Sequence, residues 1–61
     1  MTNLTEFYNE EGSIVLTILK EDNNYIVVPH GEYTKKYEQK KFAILEQAEN
    51  YADDIFFEEE E

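Results

Sequence analysis

Glu46, Glu49, Asp53 and Asp54 put four carboxylates within nine residues, with Tyr51 among them and Phe57 three positions further on. On a helix, at 100° per residue, the four acids and Phe57 share one side. Carboxylates repeated along a helix can stand in for successive phosphates of a nucleic acid backbone. They would attract a basic groove and release its counterions much as DNA does. An aromatic ring among such charges is a natural anchor at a protein interface. The plainer use of the same pattern is a solvated face that keeps a small protein dispersed. The net charge of −10 in 61 residues, with no Arg at all, brings recognition level with that plainer use. The expectation is a non-enzymatic inhibitor that blocks a nucleic-acid-processing protein, with Glu46, Glu49, Asp53 and Asp54 as the phosphate-like charge and Tyr51 or Phe57 as the anchor.

Other chemistry finds little support. The chain has no Cys, which removes disulfides and thiolate metal sites. Its one His, His30, stands beside Gly31 and reads as a loop residue. One His without Cys makes no conventional zinc site, and no Ser-His-Asp spacing is persuasive. Asp22-Asn23-Asn24 lacks the twelve-residue pattern of a calcium loop. Asp53 and Asp54 are neighbours and point different ways on a helix, so they make a poor acid–base pair. No catalytic residue, metal or cofactor is expected, and a pocket for catalysis is hard to enclose at this length. Lys35, Lys36, Lys40 and Lys41 form a basic cluster around Glu38. They are expected to balance acids of the same molecule or of a second copy rather than to hold nucleic acid.

Charge is unevenly distributed. Residues 1–32 carry six acids and one Lys, residues 33–41 four Lys and one Glu, and residues 42–61 eight acids and no base. Direct contact with nucleic acid phosphates or an anionic membrane is therefore not expected. No apolar run reaches the roughly 18 residues of a membrane span, and no signal-peptide pattern follows Met1. A cytoplasmic location is the expectation, in the host if the chain is phage-encoded.

The elements that must position these residues can be read in outline. Ser13–Lys20 and Tyr25–Val28 are short β-branched runs joined by Glu21-Asp22-Asn23-Asn24, a hairpin. Leu4–Tyr8 reads as a third strand, with a short helix capped by Thr2 or Asn3 as the alternative. It would join Ser13 through a turn with Gly12 left-handed. From Thr34 to Phe57 there is no Gly or Pro, and Tyr37, Lys41, Ile44, Ala48, Tyr51 and Ile55 recur at helical steps. Thr34 can cap a helix there. A strand within Lys36–Phe42 followed by a helix from about Ala43 is the less favoured reading, since no capping residue precedes Ala43.

The fold class is thus α+β: a three-stranded antiparallel meander followed by one long amphipathic C-terminal helix, βββα. Residues 1–57 form a single small domain, with 58–61 a frayed acidic tail. The middle strand is apolar on both faces, while one helix covers only one face. That suggests an alternative function, a small dimeric regulatory module that self-associates through Val15, Leu19, Ile26 and Val28.

The acid-rich run Glu46-Gln47-Ala48-Glu49-Asn50-Tyr51-Ala52-Asp53-Asp54 behind a β meander resembles the small acidic inhibitors encoded by bacteriophages and mobile elements, such as anti-CRISPR proteins, anti-restriction proteins and uracil-DNA glycosylase inhibitors. The resemblance implies action by blocking a host or defence protein. It rests on no motif and transfers no residue role.

Overall fold

The computed structural model describes residues 1–60. Four strands, β1 (Thr2–Tyr8), β2 (Ile14–Glu21), β3 (Asn24–Pro29) and β4 (Lys40–Phe42), form one antiparallel sheet in the order β1-β2-β3-β4. A short 3-10 segment, Gly31–Lys35, links β3 to β4, and helix α1 (Leu45–Glu60) follows. The class is α+β as read from the sequence, with one strand more.

The two hairpins form where the turn chemistry allows. Asn9 Oδ1 accepts from the backbone N–H groups of Glu11 (3.0 Å) and Ser13 (2.9 Å). Gly12 closes that turn at φ 84°, a conformation costly for any residue with a Cβ. Asp22 takes φ 56° in the two-residue loop between Glu21 and Asn24, which pair with each other. Asp tolerates this region better than most residues. Residues 3–8 are therefore strand, not helix.

The helix does not start at Thr34. The Thr34 hydroxyl donates to the Gly31 carbonyl (2.6 Å) within the 3-10 segment instead of capping a longer helix. Lys40, Lys41 and Phe42 pair with Val27, Ile26 and Tyr25, which gives β3 a ladder on its second edge. A helix from Thr34 would leave that edge bare. α1 begins without a Ser, Thr, Asp or Asn cap: the Ile44 carbonyl accepts from Gln47 and Ala48, and Glu46 in the first turn suits the positive end of the helix dipole.

The core lies between α1 and one face of the sheet. Leu16, Ile18 and Val27 are fully buried there, beneath Ala48, Ala52 and Ile55 of the helix. The two alanines let the helix backbone approach the sheet closely. Phe7 and Phe56 seal one side (ring centroids 5.3 Å) and Phe42 and Tyr51 the other (5.4 Å). Asn3 pairs with Leu19 while Thr5 pairs with Ile18, so Leu4 is an extra residue in β1. Phe7 pairs with Leu16 and Tyr8 with Ile14, so Val15 is an extra residue in β2. Both are bulges, which bend and twist the sheet.

Candidate functional site

Helix α1 divides its residues by direction. Phe57 lies nine residues beyond Ala48, which places it about 180° around the axis from that buried alanine. It is 68% exposed. Glu46, Glu49, Asp53 and Asp54 are exposed on the same outer side. Asp53 and Asp54 sit one helical turn before Phe57 and flank its ring, while successive acids such as Glu49 and Asp53 step about 6 Å along the axis. Among the described residues none of these four carboxylates accepts a side-chain hydrogen bond or ion pair. Their full negative potential faces solvent.

Tyr51 does not share this surface. It packs its ring on Phe42, and the Lys40 ammonium stands 5.1 Å from its centroid, a cation–π contact. The residue lies on the sheet side of the helix, where its recurrence with Ala48 and Ile55 already placed it. It serves the packing and not the acidic face.

The acids at the end of α1 form a second, different group. The helix runs to Glu60, so Glu58–Glu60 are not a frayed tail; Glu61 lies outside the described residues. The Tyr37 hydroxyl donates to Glu59 (2.7 Å), and the Tyr33 hydroxyl donates to Glu60 (2.6 Å). Lys36 adds an ion pair to Glu59 at 3.2 Å. The hydrogen bond to Glu59, with burial second, pushes the Tyr37 hydroxyl up to about 12. Burial first, then the bond to Glu60, raises Tyr33 further. The Tyr37 bond in turn holds Glu59 below the usual carboxylate range. Two tyrosines of the linking segment thus clasp the helix end. The sequence signal for this clasp was the i, i+4 spacing of Tyr33 and Tyr37, which reads equally well as helix.

On the sheet face away from the helix, Leu19, Ile26 and Val28 lie together by register, but Val15 does not join them. The bulge turns Val15 into the cluster that holds Tyr33, Ala52 and Ile55. Ile26 is only 3% exposed between Leu19 and Lys41, and Thr17 is covered through its hydrogen bond with His30 Nε2 (2.9 Å). The apolar area open on this face is therefore smaller than strict alternation implies. His30, read as a plain loop residue, folds onto the sheet.

A shallow groove of about 470 Å³ runs between the linking segment and the helix, lined by Lys36, Tyr37, Gln39, Lys40 and Tyr51. Its lysines are engaged with Glu59 and with aromatic rings. Among the described residues no three of His, Asp and Glu converge closely enough to hold a metal ion. Nor is any helix among them long and apolar enough to cross a membrane. No family model, curated protein or solved structure matches the chain.

Proposed function

We propose that the chain is a protein-binding inhibitor whose outer helix face docks into the basic, nucleic-acid-binding groove of a partner protein, host or defence-related. Glu46, Glu49, Asp53 and Asp54 supply the phosphate-like charge, and Phe57 supplies the apolar anchor. The observation that carries this reading is Phe57 itself. Phe57 is 68% exposed on the same side of the helix as the four acids, so most of its ring is left to solvent and not to the core. Charged surroundings steer a basic partner, while the ring holds it once docked. The resemblance to phage-encoded acidic inhibitors points the same way. Tyr51 drops out of the anchor role.

The mechanism is occlusion. No bond is made or broken, and the inhibitor competes with nucleic acid for the same cationic groove. Both complexes weaken as salt rises, because counterion release drives each of them. The test is capture of nucleic-acid-binding proteins from a bacterial lysate at low salt, followed by a challenge with duplex DNA. A captured partner should be displaced by the duplex. The quadruple variant E46Q/E49Q/D53N/D54N should bind that partner at least about tenfold more weakly, a loss of about 1.4 kcal/mol, with native circular dichroism. Undiminished binding by that variant would rule the reading out.

A further inference from the structure

We propose that the cleft between the β1–β2 turn, the 3-10 segment and the end of α1 is a socket for an arginine side chain presented by another protein. None of its residues belongs to the set assigned above to the outer face of α1, so the socket stands or falls apart from that reading.

Three elements far apart in sequence meet at this cleft. Glu11 comes from the turn between β1 and β2, where Asn9 Oδ1 pins its backbone N–H (3.0 Å). Glu32 comes from the first turn of the 3-10 segment. Glu60 comes from the last turn of α1. The Tyr33 hydroxyl donates to its Oε2 (2.6 Å), and among the described residues its Oε1 has no side-chain partner. Between these acids the lining is Ile14, Val15 and Tyr33, the last two each 5% exposed. The cleft holds about 300 Å³. That is the lower end of the usual range for ligand sites, about 300–1,000 Å³, and suits one side chain better than a cofactor.

Charge and shape together select the occupant. Acids alone would not single this place out, since the outer helix face has as many. Here they stand around a cleft with an apolar lining. The three carboxylates do not converge closely enough to hold a metal ion, and no lysine is among the described residues that line the cleft. The complement is a cation on an extended stem, with its methylenes against Ile14, Val15 and Tyr33 and its charged head among the acids. A guanidinium fits better than an ammonium. Its planar fork carries five N–H donors, reaches separated carboxylates at once and can lie against an aromatic ring. It is also more weakly hydrated, so it loses less water-binding energy on entering. A protein presents this side chain without the α-carboxylate of free arginine, which the three acids would repel.

The test follows backbone amide NMR shifts of the full chain at low salt as N-acetyl-arginine-N-methylamide is added. The amides of Val15, Glu32 and Tyr33 should shift and saturate at millimolar probe, while those of Glu46, Glu49 and Asp53 should not. The citrulline counterpart, with the same shape and no charge, should give no saturating shift. The lysine counterpart should bind at least about threefold more weakly. Glu11→Gln and Glu32→Gln should each weaken arginine binding at least about threefold. Glu38→Gln, an equal charge change at an exposed site outside the cleft, should stay close to the parent. Circular dichroism confirms that the variants fold. Absence of any localised shift would overturn the proposal, as would equal shifts along the acidic helix face, which would mean diffuse attraction. Equal binding of the citrulline or the lysine counterpart would overturn it by removing the charge or the guanidinium as the selector. Tighter binding of free arginine than of the blocked residue would overturn it by making the occupant a free amino acid and not a protein.

Discussion

The inner and outer faces of α1 are made from the same sixteen residues, yet they answer to different constraints. Inward, Ala48, Ala52 and Ile55 are sized to the sheet beneath them, and even the charged Glu59 and Glu60 are held by tyrosine hydroxyls. Outward, Glu46, Glu49, Asp53, Asp54 and Phe57 are exposed to solvent. Acidity as such therefore says little about function in this chain. Fifteen acids are present, and the informative ones are those without a structural task.

The sharpest way to break this contrast is to truncate one residue on each face. Ile55→Ala removes a side chain that is 4% exposed and should cost about 2–5 kcal/mol by urea denaturation. In a domain this small that approaches the whole margin of stability. Phe57→Ala should stay within about 0.5 kcal/mol of the parent in the same assay while weakening capture of the partner. A large stability loss at Phe57 would mean that the ring belongs to the fold and that the two faces are not distinct.

A middle-sized effect separates the two kinds of acid. Tyr33→Phe keeps the buried ring and removes only the bond to Glu60, for about 1 kcal/mol. The same clasp gives an alkaline signature. Tyr37 is raised to about 12, so folding favours its protonated form. Its contribution is whole below the ordinary tyrosine value near 10 and fades as pH climbs from there toward about 12. The depressed Glu59 contributes in the opposite sense: its share is present above the ordinary carboxylate value and is lost as pH falls through the lowered one. Melting followed from pH 9 to 12 should show the alkaline decline in the parent and a shallower one in Tyr37→Phe.

The smallest effect tests the helix end. α1 finishes on acids with no base in its last turn, which sets negative charge against the negative end of its dipole. Glu58→Lys should therefore stabilise by about 0.3–1 kcal/mol, most visibly at low salt. The lysine lies at the margin of the outer face, so a change in partner capture out of proportion to this gain would extend the docking surface to the helix end.

The sequence makes much of this arrangement legible, for identifiable reasons. β2 and β3 are β-branched runs closed by Asp-Asn turn residues, and Gly12 marks the first turn, so local chemistry suffices. The outer face of α1 follows from angular spacing alone. β4 does not, because Lys40-Lys41-Phe42 has no strand signature of its own and becomes a strand only by meeting the open edge of β3. The bulge that moves Val15 into the core is likewise a property of two strands in register. The tie between Tyr33 and Glu60 joins residues 27 apart, beyond the reach of any periodicity.

That separation also bears on the entropy of folding. The hairpins bring together residues a few positions apart, at small loop-closure entropy. The tyrosine clasp closes a much longer segment, at a larger loop-closure entropy. Were α1 to undock, Leu16, Ile18 and Val27 would be uncovered, and the dense negative charge of the same chain would hold such opened molecules apart.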